Sequence, residues 1–212
     1  TDRSRGLGDV YKRQVYMDTI ESITKQIMDD PRDAEFTKRG EKPVFSAPST
    51  ALITIVGQSP SLDAQTRGLC WNDRSGDTLR KWLDVDKETF YDSGKFALVP
   101  MDFYYLGDVP GDKGMEEPRE WVAPTYHPEI MKLLPDVKLT ILAGSNAVKY
   151  YLNQWSKARL EDTVKHFQEY LPKYFPIVHP SGRTDIWRTE HPWFDETVVP
   201  ALREHVHAIL GK

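Results

Sequence analysis

Apolar positions gather into four short runs with almost no charge, at residues 51–56, 96–101, 138–143 and 174–178. They are followed by Gly57, Asp102, Gly144 and His179-Pro180. Such runs read as buried strands rather than as strands with one wet face. Pro100 has no amide proton, so it fits only near the end of its strand. Between the runs the period changes. Ile20, Ile23, Ile27 and Met28 recur at helical spacing and predict a helix over 18–28. Leu79, Trp82 and Leu83 predict another over 76–83, with a further turn at 86–91. Helices are also predicted at 127–134, 147–152, 160–170 and from about residue 196 onward. Pro31, Pro43 and Pro48 mark 29–49 as a surface loop, and 57–75 reads as a long loop of the kind that carries a site. The Gly-, Pro- and charge-rich stretch 106–124 reads as a mobile loop, with Lys113 and Arg119 as further basic groups that can border a polyanion.

Strands alternating with helices imply a parallel sheet covered on both faces, with right-handed crossovers. The expected fold is therefore three-layer α/β/α around a central four-stranded parallel sheet. At 212 residues this is one domain. Residues 1–14 have no helical or strand period and read as a non-native leader, leaving a single domain over 15–212.

Charge narrows the classes of partner. The chain carries −4, and the leader holds four cations against two carboxylates, so the remainder stands at −6. A domain this acidic is no general nucleic-acid binder, and any DNA contact rests on a local basic patch. No apolar stretch is long enough to span a membrane. The single Cys70 excludes an internal disulfide and any four-cysteine zinc or iron–sulfur site, and the expected location is the cytoplasm.

The chemistry-bearing residues sit at strand ends. The first run leads into Gly57-Gln58-Ser59-Pro60-Ser61, and the fourth into His179-Pro180-Ser181-Gly182-Arg183. In open α/β sheets the carboxyl edge is where ligands bind. Between them lie Gly68, Trp71 and Ser75-Gly76. Taken in order, these motifs resemble the uracil-DNA glycosylase superfamily, in a branch without iron–sulfur cysteines, over about residue 51 to the C-terminus.

That resemblance implies a monofunctional DNA glycosylase that flips uracil, or a related deaminated or modified base, out of DNA and hydrolyses its N-glycosidic bond. The departing base collects negative charge, so a donor aimed at its oxygen is the largest expected term. His179 is the expected donor, Trp71 the stacking platform, and Gly57, Ser59 and Ser181 further base-binding groups. Ser75, Gly182 and Arg183 are expected on the DNA backbone. The chain departs from the family's pattern where a catalytic carboxylate usually stands, since Gln58 and Ser59 are not bases at neutral pH. Gln58 is left to orient water, and Asp102, just past the second strand, is the nearest candidate base. Asp73 and Asp63 are weaker candidates on the first loop. Gly182, Thr184 and Ser61 also replace residues common in the family. The expected partner is DNA met by a monomer, with no cofactor, no metal and no membrane. Two other readings stay open: a protein of the same fold that senses modified bases without cutting, and an unrelated α/β enzyme acting on free nucleotides.

Overall fold

A computed structural model describes residues 19–111, 114–154 and 159–212. The predicted leader at 1–14 lies outside them. Four strands, β1 (Ile53–Val56), β2 (Phe96–Leu98), β3 (Leu139–Ala143) and β4 (Tyr174–Ile177), form one sheet in the order β2-β1-β3-β4. Every pairing is parallel, with Ile55 opposite Leu98 and Ile141, and Ile141 opposite Phe175. This is the expected sheet, and no strand of it is exposed on both faces.

The helices are α1 (Ile20–Asp29), α2 (Ala34–Lys38), α3 (Leu62–Arg67), α4 (Arg74–Leu83), α5 (Lys87–Tyr91), α6 (Val122–Lys132), α7 (Ser145–Leu152), α8 (Leu160–Lys165), α9 (Thr184–Glu190) and α10 (Val199–Leu210). Strand alternation divides the core between two layers. Ile53, Ile55, Ile141 and Phe175 point to the side closed by Leu79 and Leu83 of α4 and Leu202 and Val206 of α10. Ala97 and Val99 point to the opposite side, against Ile23 and Ile27 of α1 and Tyr126 and Ile130 of α6. Val56 and Leu142 meet Ala147 and Val148 of α7 on that side as well. The period-two pattern is what lets one sheet serve two helical layers.

Several boundaries differ from the sequence reading. The loop predicted at 57–75 contains α3, a helix of six residues capped by Ser61 and closed by Gly68 at φ +65°. Helix α6 begins five residues before His127, so Pro128 lies inside it and His127 is a core residue. Helix α9 occupies residues assigned no helix, and its Ile186 is strongly exposed, which removed the apolar signal. β2 stops at Leu98, but its hydrogen bonding continues. The amides of Val99 and Met101 donate to the carbonyls of Ile55 and Gly57 on the β1 side. The amide of Leu98 donates the other way, to Ser46, at 2.7 Å. The proton missing from Pro100 belongs to that outer side, where no strand waits for it.

Ile55 has no exposed surface and packs at the centre of the α4–α10 side. Ile55→Ala is expected to destabilise the protein by about 2–5 kcal/mol, through lost burial and the cavity left behind. Urea denaturation of both proteins measures it.

Candidate functional site

The order β2-β1-β3-β4 means that the chain leaves β1 toward one edge and leaves β3 toward the other. A crevice opens at the carboxyl ends of β1 and β3, because no crossover covers that point. A cleft of about 1060 Å³ occupies it. Gly57, Gln58, Ser59, Trp71, Ser75, His179, Ser181, Gly182 and Arg183 all line it, so nine of the ten expected site residues come together there.

The Gly57–Ser61 turn is fixed from two directions. Past β2, the amides of Met101 and Asp102 donate to the carbonyls of Gly57 and Gln58, at 2.9 and 3.0 Å. At its far end Ser61 Oγ caps α3 by accepting from the Ala64 amide, and donates to Asp73 Oδ2 at 2.7 Å. Asp73 Oδ1 in turn accepts from the Gly76 amide at 2.9 Å, capping α4. One carboxylate thus ties together the N-termini of two helices and holds the two walls of the cleft in register. Ser59 Oγ is buried and has no hydrogen-bond partner among the described residues. A buried hydroxyl left in that state is suited to bond a polar atom of a bound molecule.

Trp71 lies across Gly57. A Cβ on Gly57 would come within 2.5 Å of Trp71 Cζ2, so only glycine lets the indole rest on this backbone. The ring centroid stands 5.5 Å from that of His179, at an interplanar angle of 31°. His179 follows β4, and its Cβ touches the position a side chain on Gly144 would occupy, at 3.4 Å. Burial pushes the imidazole down to about 4, against a weaker pull from the Asp73 charge. At neutral pH the ring is therefore uncharged, with one N–H donor and one acceptor nitrogen.

The second motif then turns outward. The Ser181 carbonyl accepts from both the amide and the hydroxyl of Thr184, which starts α9. Gly182 and Arg183 are exposed at the rim. The Arg183 guanidinium lies over Gly114, where an added Cβ would stand 2.9 Å from Nη2. Arg74, from the opposite rim, approaches Gly182 and pairs with Asp185 at 3.5 Å. Sequence reasoning missed Arg74, Glu117, Asn146 and Trp187 as cleft residues. Asn146 follows the end of β3 and could have been found by the same strand-end logic, whereas only their place in the fold brings the other three there.

Asp102 is the exception among the expected residues. Its carboxylate does not line the cleft and has no exposed surface. Arg119 grips it through Nε to Oδ2 at 2.8 Å and Nη2 to Oδ1 at 2.9 Å, and the amides of Arg119 and Tyr104 add two more donors. The remaining Arg119 Nη1 bonds Asp33 Oδ1 at 2.6 Å. Burial opposes the Arg119 charge, yet the two carboxylates hold its pKa above the usual value. Asp102 is therefore a structural anchor whose backbone steadies Gln58, and, contrary to the expectation from sequence, its carboxylate is not at hand to activate water in the cleft. Arg119 is likewise committed inside the protein rather than to a polyanion, and Lys113 lies outside the described residues. Among the described residues no cluster of His, Cys, Asp and Glu is placed to hold a metal ion, and no helix is long and apolar enough to cross a membrane.

Two outcomes follow. Arg119→Met leaves Asp33 and Asp102 buried without their cation, and is expected to lower stability by roughly 3–5 kcal/mol in urea denaturation. Acidification is expected to weaken the fold through His127 and His179, both lowered by burial from 6.5 to about 4. The unfolded chain binds these protons first, so their contribution is complete above about pH 6.5 and is lost as pH falls toward 4. His179→Gln is expected to flatten part of that slope between pH 7 and 5.

The glycine-floored turn after β1, the uncharged histidine after β4 and the aromatic between them are paralleled by a wider match. The model of the uracil DNA glycosylase superfamily covers residues 43–203, which include all four strands and both motifs. On that match the chain belongs to the uracil DNA glycosylase superfamily.

Proposed function

We propose that this protein is a monofunctional DNA glycosylase that removes uracil, or a related deaminated or modified base, from DNA. The observation that carries the reading is the placement of an uncharged His179 imidazole beside the Trp71 ring, in the cleft floored by Gly57. Members of this superfamily generally hydrolyse N-glycosidic bonds. The reacting bond is inaccessible inside a base stack, so the base must swing out of the duplex into such a cleft.

A flipped base stacks on the Trp71 indole. As its bond to the sugar breaks, the electron pair moves into the base, and charge collects on its carbonyl oxygens. A neutral imidazole N–H held in a buried site stabilises that oxygen without first having to lose a proton of its own. The sugar meanwhile takes on oxocarbenium character. The Asp73 carboxylate lines the same cleft and provides negative charge there, in place of a carboxylate within the first motif. Gln58 orients the attacking water; its amide reaches the Glu116 carbonyl at 3.5 Å, a long contact that leaves it able to turn toward the cleft. Ser181, Gly182 and Arg183 on one rim and Arg74 on the other face the backbone, which suits a small basic footprint on an acidic protein. Neither motif contains a lysine, so no Schiff-base lyase step is assigned.

One observation favours a second reading, a protein that senses modified bases without cutting. The two positions that usually carry the carboxylate hold Gln58 and Ser59, and Asp102 is turned away into an ion pair. Abasic-site formation on uracil-containing oligonucleotides, set beside a binding assay, separates the two. The wild-type protein is expected to produce abasic sites, with His179→Ala slower by about 10²–10³-fold, the loss typical of one oxyanion donor. Trp71→Ala is expected to weaken binding of the flipped base by about 1–3 kcal/mol. Tight binding without abasic product favours the sensor.

A further inference from the structure

Trp71 holds its indole over the site from a backbone that side chains rarely adopt, with φ +60°. For a bulky aromatic this conformation is unfavourable and persists only where its surroundings over-determine it. The surroundings are unusual. Arg80 of α4 is a cation with 5% relative exposure, buried against the back of the loop. Its Nη1 donates to the Trp71 carbonyl at 3.1 Å and to the Tyr91 hydroxyl at 3.0 Å. The Tyr91 hydroxyl donates to the Cys70 carbonyl at 3.0 Å. The other end of the guanidinium pairs with Asp77 at 2.6 Å. Beneath the loop Gly76 leaves room for the turned carbonyl, since a Cβ there would lie 1.6 Å from Trp71 O.

Two consecutive carbonyls, of Cys70 and Trp71, are therefore pinned by a buried guanidinium and the phenol it supports. Arg80 is buried while its carboxylate partner Asp77 stays largely exposed. The end that reaches the loop meets only the neutral oxygens of Trp71 and Tyr91 among the described residues. Such burial costs stability that an apolar side chain in the same place would not. Burial keeps the Tyr91 phenol protonated, raised to about 12, so its single proton stays available to Cys70.

We propose that Arg80, with Tyr91, is a positioning residue. It holds the Cys70–Trp71 peptide in its left-handed turn and so keeps the indole against Gly57 and beside His179. The proposal rests on the reading that Trp71 carries the flipped base. A base stacked on a tilted ring would present its oxygen away from His179, and a shift of about 1 Å in such a site is enough to lose about 100-fold in rate.

The test uses Arg80→Met, Arg80→Lys and Tyr91→Phe in protein labelled with 5-fluorotryptophan. The Trp71 fluorine resonance is assigned by its loss in Trp71→Phe. In Arg80→Met that still folds by circular dichroism, the Trp71 resonance is expected to shift or split while the other indoles stay in place. Turnover on a uracil oligonucleotide is expected to fall about 100-fold, a larger change than in KM. Arg80→Lys, able to reach one carbonyl, is expected to recover part of both. A folded Arg80→Met whose Trp71 resonance is unmoved, or whose turnover stays within about twofold of wild type, overturns the proposal. If Arg80→Met does not fold, Tyr91→Phe decides by the same two readings. A wild-type protein that makes no abasic sites defeats the glycosylase reading, whereas the resonance still reports whether Arg80 poses the indole.

Discussion

The divergence of the chain after β1 and β3 is the constraint on which the rest of this molecule depends. With the strands in the order β2-β1-β3-β4, all parallel, the two central strands send their successors to opposite edges. The carboxyl ends of the central pair are left uncovered, and β4 delivers its own end beside them. Two motifs separated by more than a hundred residues of sequence thereby meet in one cleft. No local interaction brings them together. Parallel pairing through buried strands does, and it holds because both faces of the sheet are covered by apolar helices.

Around that crevice the protein fixes its loops with hydrogen-bonded polar groups. Arg119 collects Asp33 and Asp102, and so ties the segment after α1 to the strand end that supports Gln58. Asp73 joins the first turns of α3 and α4 through Ser61 and Gly76. Arg80 and Tyr91 hold the Cys70–Trp71 peptide. Each is a hydrogen-bonded network in a low-dielectric setting, where a satisfied group rigidifies its neighbours and an unsatisfied one is strongly unfavourable. Ser59 and His179 stand apart because both line the cleft, and the buried Ser59 hydroxyl has no hydrogen-bond partner among the described residues, which leaves it able to bond a molecule that enters.

The electrostatics match that division. The histidine at the site is kept uncharged by burial, while the nearest carboxylate pulls weakly the other way. On the proposed function, a donor of this kind gains strength from the low dielectric without adding a fixed positive charge that would repel a cationic sugar. The positive groups are confined to the rim, in Arg74 and Arg183, where a phosphate backbone would pass. On the proposed function, an acidic domain can meet DNA in this way because the contact would be local.

Much of the fold was legible from the sequence, because uncharged β-branched runs have few alternatives to a buried parallel strand. The strand-end motifs were legible too, since His179 and the Gly57–Pro60 turn sit where such sheets expose backbone and side chains to ligand. What the sequence could not reveal was direction. Asp102 follows β2 as closely as His179 follows β4, and nothing local distinguishes a carboxylate that faces the cleft from one that faces inward. The difference comes from Arg119, seventeen residues later, and from Asp33, which lies in another layer. Helix α9 was hidden for a related reason, since its Ile186 points to solvent and breaks the pattern that burial imposes. Residue order determines which segments become strands and which strand ends carry polar groups, because those follow from local period and composition. Which of those groups meet across the cleft, and which are neutralised inside the protein, was decided only by tertiary packing, because a buried charge takes its role from whichever partner the fold places beside it.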